Sequence, residues 1–321
     1  SVLDTGSTKN TTSTMKWAPG IILLACIRTW LCSCDKFTVG DITVETLTVD
    51  SAFQVIEFRD DVNVTLLHSD AAHPAGTIQI KAGANLINGI HTEISEITDI
   101  NDVNNDTLVF NKLVIRNDNA LNYLHTYNYD IDATIYYDTL FQLIFHSNAR
   151  RIETDTLRGY DYLTQFSQDT LSWDSLAPRL LLVVEGGSGS FNVLTNCYRI
   201  TTKYMFGTAD ISVQGISVLA STFADFDCHG IIDCKDLYSH IHYITSNSTN
   251  RIIAKAFHMI SAFNDNIGQI EYVRFKAVRP HLCPPNDTDP TWHEEDTVYN
   301  CPLYIQFGGS NWERIVPYVG Q

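Results

Sequence analysis

The chain has 321 residues, 44% of them hydrophobic, and is long enough to bury a sizeable core. Aromatic residues make up 11% and charged residues only 18%, a balance that favours β-strands over helical bundles. The formal net charge of −16 at pH 7 argues against a nucleic-acid partner, because phosphate binding depends on Lys and Arg. Composition therefore predicts a folded all-β protein that does not bind nucleic acid.

The amino-terminal region has the order of a secretory signal peptide. Met15-Lys16 begins a positively charged start, and the stretch Ala18 to Ala25 is apolar. This apolar run is too short to span a bilayer as a helix, which requires about 20 residues. We therefore expect residues 15–33 to be a signal peptide, preceded by upstream residues 1–14.

The end of this signal is similar to a bacterial lipobox. Leu31-Cys32-Ser33-Cys34 places Leu three residues before the final Cys and a small Ser directly before it. The similarity implies that Cys34 is lipidated and anchors the mature chain to a membrane. Arg28 in the apolar region and the bulky Cys32 depart from the pattern, so an ordinary cleaved signal and a short buried segment remain the alternatives.

Residues 34–50 are polar and Thr-rich, and we interpret them as a flexible tether. From Ser51 onward, short β-branched runs are bounded by Asp, Asn or Gly, as expected of strands. The predicted strands include Phe53 to Phe58, Val62 to Leu66, Thr77 to Lys81, Leu113 to Arg116 and Ile131 to Tyr136.

The strongest signal is an internal repeat. Turn-to-strand junctions recur at a nearly constant interval: Ser190 to Val193, Asp210 to Val213, Gly230 to Asp233, Asn250 to Ile253 and Gln269 to Tyr272. Such a period predicts a parallel β-helix with coils of about 20 residues, because each coil must return the chain to a point one strand spacing further along. Phe191, Ile211 and Ile231 are then expected to form an inward ladder. An evenly spaced meander sandwich is the alternative.

From Phe53 to Tyr272 the chain resembles the head GIN domain family of auto-transporter adhesins. The segments that carry the resemblance are Phe53 to Ile56, Val62 to Val64, Asn85 to Ile87, Leu113 to Asn119, Ile131 to Tyr136, Leu140 to Ile144 and Gly268 to Tyr272. The resemblance implies a right-handed parallel β-helix over residues 51–275 and a cell-surface or periplasmic location. The family defines no catalytic residues that could be transferred. A tail, residues 276–321, lies beyond the resemblance, and His229, Asn250 and Asn266 replace usual Gly turns.

One cluster combines thiols and imidazoles at close spacing. Cys228, Cys234, His240 and His242 are residue types that bind zinc, and alternate residues of a strand share a face. Yet the Cys228 to Cys234 spacing matches no standard zinc module. We therefore predict no metal and no cofactor.

Three carboxylates, Asp210, Asp225 and Asp227, are the candidates for acid/base catalysis on neighbouring turns. No readable arrangement of Arg, Lys or His accompanies them, so the sequence favours a protein that is not an enzyme.

The cysteines beyond Cys34 are odd in number: Cys197, Cys228, Cys234, Cys283 and Cys301. At least one thiol is therefore free or pairs between chains. Cys283 and Cys301 flank a Pro-rich segment, and a bridge between them would contribute roughly 3 kcal/mol in the chain-entropy model. We predict this bridge, with two free thiols as the alternative.

Together these features predict an exported lipoprotein of the cell envelope, in the outer membrane and either periplasmic or surface-exposed, with a structural or adhesive role. Its partners would be the membrane, through the lipid anchor, and a polysaccharide or another surface protein. The alternatives are a glycan-binding or glycan-cleaving protein and a metal-dependent or signalling accessory. An exposed aromatic ladder would favour glycan binding. The candidate rings are those of Tyr198, Tyr204, Tyr238 and Tyr243.

Overall fold

The computed structural model describes residues 40–50, 52–59, 62–100, 107–118, 131–146, 151–158, 179–278 and 298–319. Strands dominate this part of the chain, which confirms the all-β prediction. The strands are β1 (Ile42–Thr48), β2 (Val55–Arg59), β3 (Asn63–His68), β4 (Thr77–Gly83), β5 (Ile90–Ile100), β6 (Thr107–Asn117), β7 (Asp132–Tyr137), β8 (Gln142–Phe145), β9 (Arg151–Thr154), β10 (Arg179–Glu185), β11 (Ser190–Gly207), β12 (Asp210–Cys228), β13 (Ile231–Asp233), β14 (Leu237–Ser246), β15 (Arg251–Ala254), β16 (Met259–Asn264), β17 (Gln269–Tyr272), β18 (Phe275–Val278), β19 (Val298–Cys301), β20 (Tyr304–Gly308) and β21 (Ile315–Pro317). One short helix, α1 (Ala84–Ile87), and a 3-10 turn (Trp312–Arg314) complete the described elements.

Nineteen of the described strands form one curled, mixed sheet, and β18 pairs with β19 in a separate hairpin. Most pairings in the large sheet are parallel and join strands that are distant in sequence. The parallel strands fall into three ladders, each a series of strands that pair side by side.

Ladder one contains the parallel-paired strands β6, β2, β8, β10, β11, β12, β14, β16 and β20, in that order. The carboxyl-terminal halves of the long strands β11 and β12 take part in it. One register row runs through Leu181, Thr201, Ser221, Tyr243 and Ser261. Equivalent side chains therefore lie one strand spacing, about 4.8 Å, apart.

Ladder two contains β7, β3, β9, β11, β12, β13, β15, β17 and β21. Here the amino-terminal halves of β11 and β12 take part. Ladder three is shorter and joins Leu157, Thr195, Gly215 and Leu237 in parallel register. Long strands thus pass from one ladder to another at a bend, as β12 does between Asp210 and Ala224.

The predicted repeat is correct in period and wrong in register at two junctions. Phe191 pairs with Ile211, and Ile231 pairs with Arg251, both at the predicted interval. Ile211, however, pairs with Ile232, so Ile232 takes the inward position and Ile231 is exposed. Arg251 pairs with Gln269, at a shorter interval than predicted. The turn before β13 contains one extra residue, which reverses the side-chain alternation expected from a fixed period.

The main core lies on the inner side of the ladders, because alternate residues of each strand point inward. A row of stacked rings marks it: Phe145 lies 5.6 Å from Phe58 and 4.6 Å from Phe191 between ring centroids. Burial of each such ring contributes about 2–3 kcal/mol. The interior is therefore stabilised by side chains repeated from strand to strand.

Antiparallel strands close the amino-terminal end of the sheet. β1 pairs with β4, β4 pairs with β7, and β5 pairs with β6 along its whole length. Residues 42–48 of the predicted tether are therefore a paired strand. The helix α1 buries Leu86 against the same end of the core.

The carboxyl-terminal strands extend the ladders. β20 pairs with β16 and β21 pairs with β17, so residues 304–308 and 315–317 of the predicted tail belong to the large sheet. Ile305 and Phe307 continue the inward rows of Ile260 and Ala262. Both are at least one-third exposed, because β20 is the last strand of ladder one within the described ranges and no further described strand covers it.

One bend requires glycine. Gly215 joins the ladder-two and ladder-three segments of β12 with a φ of 103°, a conformation that L side chains rarely adopt. A Cβ built there would lie 2.1 Å from the carbonyl oxygen of Thr195 on the neighbouring strand. The bend between ladders thus depends on the missing side chain.

Candidate functional site

The candidate site is the outer side of ladder one from β11 to β20, which we call the ring face. It carries one large exposed ring on each of four neighbouring strands. Its outward residues are Arg199, Thr201, Lys203, Leu219, Ser221, Phe223, Ile241, Tyr243, Thr245, Met259, Ser261, Phe263, Tyr304 and Gln306.

Strand alternation explains why these rings are outside. On β12, Ala220, Thr222 and Ala224 are buried, and Phe223 between them is 43% exposed. The exposed fractions of Tyr243, Phe263 and Tyr304 are 41%, 45% and 61%. Large aromatic side chains on one contiguous exposed surface are typical of binding sites.

None of the fourteen residues of the ring face is acidic, but Asp225 and Asp265 follow Phe223 and Phe263 by two residues and are exposed at its edge. The two cations of this surface, Arg199 and Lys203, lie together on β11 at one side. Neither forms an ion pair within the described part of the chain, and the Nε of Arg199 is buried there without a hydrogen-bond partner. The surface is therefore uncharged between β11 and the acidic residues at its edge.

Short polar side chains separate the rings. Ser221, Thr245, Ser261 and Gln306 lie in the rows beside them and form no side-chain hydrogen bond with any described residue. Their hydroxyl and amide groups are therefore available to a ligand.

A hydrogen-bonded interior supports this face from below. His242 is fully buried on β14, and its Nε2 lies 2.9 Å from the Oγ1 of Thr222. Burial lowers the pKa of His242 to about 4. Further along, Asn264 donates from Nδ2 to the carbonyl oxygens of Gly268 at 3.0 Å and Asn311 at 3.2 Å. These polar groups fix the positions of the strands that carry the rings.

The structure corrects one interpretation of the His/Cys cluster. His240 and His242 do not both point outward: His242 is inside, and His240 stacks on His258 with ring centroids 4.8 Å apart. Cys228 and Cys234 are buried free thiols, and burial raises the pKa of each to about 12. Metal binding needs a thiolate. Nowhere in the described ranges do three His, Cys, Asp or Glu side chains come together as a possible metal site.

The three candidate carboxylates are all exposed, and two of them bind backbone. Asp210 accepts from the N–H of Ile231 at 2.9 Å, and Asp225 accepts from the N–H of Phe226 at 2.8 Å. The first bond joins the starts of the neighbouring strands β12 and β13, and the second lies within β12 near its carboxyl end.

Two predictions fall partly outside the described residues. Cys34, the predicted lipidation site, is outside them, and so is Cys283 of the predicted disulfide. Cys301 is described and buried at the end of β19. No helix within the described ranges has the length and apolar character needed to cross a membrane.

Only one of the four candidate tyrosines belongs to the ring face, namely Tyr243. Tyr204 is fully buried and donates to the carbonyl oxygen of Ala209 at 3.0 Å, so its assignment to an exposed ladder was wrong. Tyr238 is exposed on ladder three, where the Nζ of Lys255 lies 3.7 Å from its ring centroid. Tyr198 is half-buried at the bend of β11.

Sequence reasoning missed Phe223, Phe263 and Tyr304. The available signal was the outward position of each ring in its strand, combined with the repeat. Phe223 and Phe263 share one register row, with Thr245 between them. That row becomes readable only when the pairing of Phe223 with Thr245 is known, because the interval between them is longer than the predicted one.

A separate cavity of about 620 Å³ lies between β18, β19 and β20. It is lined by Arg274, Phe275, Lys276, Cys301, Pro302 and Ile305. Arg274 is engaged with Tyr272, to whose hydroxyl oxygen it donates at 2.8 Å.

Comparison with known proteins shows a likeness in fold. No protein-family model matches the chain, and no curated protein matches it. A crystal structure of a putative adhesin from Bacteroides fragilis is 14% identical, with a TM-score of 0.53, and the match covers 86% of this chain and 95% of that one.

Two further crystal structures match over similar lengths. A putative lipid binding protein from Parabacteroides distasonis is 14% identical, with a TM-score of 0.44 and coverage of 87% of this chain and 98% of that one. A putative adhesin from Parabacteroides merdae is 14% identical, with a TM-score of 0.42 and coverage of 87% and 97%. The chain is thus similar in fold to the Bacteroides fragilis protein.

Proposed function

We propose that the chain is an exported binding protein of the cell envelope, with a structural or adhesive role and no catalytic task. The observation that supports this most is the ring face, a broad surface of exposed rings and unengaged polar side chains on a rigid stack of strands. Such surfaces suit recognition of extended partners. The adhesin-like description of the Bacteroides fragilis protein agrees with a binding role.

The finer form of the fold belongs to the same proposal. We assign the three ladders to the three faces of a right-handed parallel β-helix of the head GIN type, with coils of about 20 residues. Support comes from the parallel register along β11, β12, β14 and β16, where paired residues recur at intervals close to this coil length.

The anchor is proposed from the sequence of residues 15–34. Lipidation of Cys34 places the protein in the outer membrane, with the folded part in the periplasm or on the surface. One acyl chain gives only marginal membrane binding, and stable anchoring takes more than one. A lipoprotein carries several, so we expect the mature chain to stay with membranes.

The full chain, produced in a Gram-negative host, tests this proposal. Metabolic labelling with an alkyne fatty acid is expected to mark the wild-type chain, which should fractionate with membranes. A Cys34→Ser variant should be unlabelled and soluble, and Cys32→Ser serves as the matched control that keeps the label. An unlabelled wild-type chain would contradict the anchor. A second experiment tests the adhesive role: host cells that carry the fatty-acid-labelled wild-type protein are expected to adhere to other bacteria.

Glycan binding is the second candidate function. The four exposed rings of the ring face favour it, because aromatic faces pack against sugar rings.

A further inference from the structure

We infer that the ring face binds an extended, uncharged polysaccharide, with Phe223 and Phe263 as its principal contacts. This inference rests on the proposed binding role and names the class of ligand.

The spacing of the rings matches a polymer of sugars. Phe223 and Phe263 lie in one register row, two strands apart, so their Cα atoms are separated by about 9.6 Å. This is close to the length of one disaccharide unit in an extended β-linked chain. Tyr243 lies on the strand between them in the neighbouring row, and Tyr304 lies on the next strand beyond Phe263.

The chemistry of aromatic faces suits pyranose rings. An aromatic face carries a partial negative charge, and the axial C–H groups of a sugar are weakly positive. The hydroxyl groups at the sugar's edge need donors and acceptors at the side. Ser221, Thr245, Ser261 and Gln306 provide them next to the rings and are unengaged within the described part of the chain.

Charge selects an uncharged polymer. The protein carries a formal net charge of −16, so a polyanion approaching it is repelled overall. Asp225 and Asp265 are exposed two residues beyond Phe223 and Phe263 and would repel a polyanion there, whereas the two cations, Arg199 and Lys203, lie on β11 only. A neutral chain laid across the strands avoids this repulsion and covers apolar surface that water otherwise contacts.

Affinity electrophoresis of the full chain tests the inference with named probes. Hydroxyethylcellulose, galactomannan and arabinoxylan are the uncharged polymers, and carboxymethylcellulose is the charged counterpart of the first. We expect at least one uncharged polymer to retard the protein. The double variant Phe223→Ala/Phe263→Ala should weaken that binding by about tenfold or more, because it removes both principal ring contacts.

Tyr238→Ala is the control, because Tyr238 is equally exposed but lies on ladder three. We expect it to change the retardation by less than about twofold. Thermal unfolding of each variant shows whether it is folded, and Phe223→Leu/Phe263→Leu, which keeps apolar bulk without a ring, provides a second route if the Ala variant unfolds.

Three results would overturn the inference. They are no retardation of the wild-type protein by any uncharged polymer, stronger retardation by carboxymethylcellulose than by hydroxyethylcellulose, or undiminished binding by a folded double variant. Each of them leaves the envelope location intact, because the Cys34 labelling experiment decides that separately. If host cells that carry the protein adhere to other bacteria while the protein binds none of these polymers, the partner is a protein instead.

Discussion

The outer side of ladder one is buried in one half and exposed in the other, although the parallel pairing of strands continues from one half to the other. At β2, β8 and β10 the outward side chains are buried in a second apolar cluster: Val55, Phe110, Phe141, Ile144 and Val183, with Ile97 and Leu181 packed against it. From β11 to β20 the outward rings are exposed. We call the first region the covered half and compare it with the ring face.

The β5–β6 hairpin makes the difference. Phe110 of β6 stacks on Phe141 with ring centroids 4.6 Å apart, and Ile97 of β5 joins the same cluster. Rings that would otherwise be exposed thus become a second core. The comparison teaches that outward aromatic residues on this ladder stabilise the protein where the chain covers them and remain available for binding where it does not.

The interiors beneath the two regions also differ. Below the covered half the inward residues are apolar, for example Leu143, Phe145 and Val184. Below the ring face they include Thr222 and His242, which form a buried hydrogen bond. We therefore expect the two regions to respond differently to truncation and to acid.

The largest expected effect is the loss of a ring from the covered half. Phe141→Ala should lower the free energy of unfolding by about 3–4 kcal/mol, because it removes buried apolar area and leaves a cavity. Phe223→Ala on the ring face, the matched control, should change it by less than about 0.5 kcal/mol. Urea unfolding followed by fluorescence measures both. Equal losses would show that the ring face is packed as the covered half is.

Acid should act next, and through His242. Burial holds its pKa near 4, whereas the unfolded chain takes up the proton below about 6.5. The contribution of the neutral, buried His242 to stability is therefore fully present above pH 6.5. It decreases as the pH is lowered, and the loss reaches roughly 3 kcal/mol near pH 4.

Unfolding free energies at pH 7.5, 5.5 and 4.5 measure this dependence. His242→Leu should be less stable than wild type at neutral pH, since Thr222 loses its partner, but should show a flatter decline with acid. Phe223→Ala, which leaves His242 and Thr222 in place, should keep the wild-type slope. An unchanged slope in His242→Leu would contradict the prediction.

The smallest of the three effects concerns Glu57 in the covered half. Its carboxylate is buried and lies 2.6 Å from Lys112, 2.5 Å from Arg59 and 3.2 Å from His146. Burial by itself would raise the pKa of Glu57, but the hydrogen bonds and charges of Lys112 and Arg59 outweigh it and hold the pKa below its ordinary value.

Glu57→Gln should therefore cost about 1–2 kcal/mol at pH 7, a value reduced by the partial exposure of Arg59. The contribution is present above pH 4.5 and is lost as the pH falls through the lower folded pKa, so the two proteins should converge in acid. Glu45→Gln, at an exposed site on β1, should have almost no effect. Denaturant unfolding across this pH range compares the three, and a constant difference would contradict the role of the charge.

Much of the fold could be predicted from local patterns. Alternation of apolar residues located β2, β3, β4 and β7 to within a few residues, because period-two burial leaves a direct trace in the sequence. The predicted interval was correct between β11 and β12, where turns of constant length maintain it. It failed at β13, because one inserted residue reverses which side chains point inward.

The candidate site could be predicted only in part, since exposure depends on what covers a strand. The sequence by itself determined the all-β class, the approximate interval between paired residues of β11 and β12 and the aromatic content of the strands, because these follow from composition and period. The tertiary structure alone decided that Phe141 is buried, that Phe223 is exposed and that Tyr204 is inside. The physical reason is that strand register and the placement of the β5–β6 hairpin are long-range properties, whereas alternation is local.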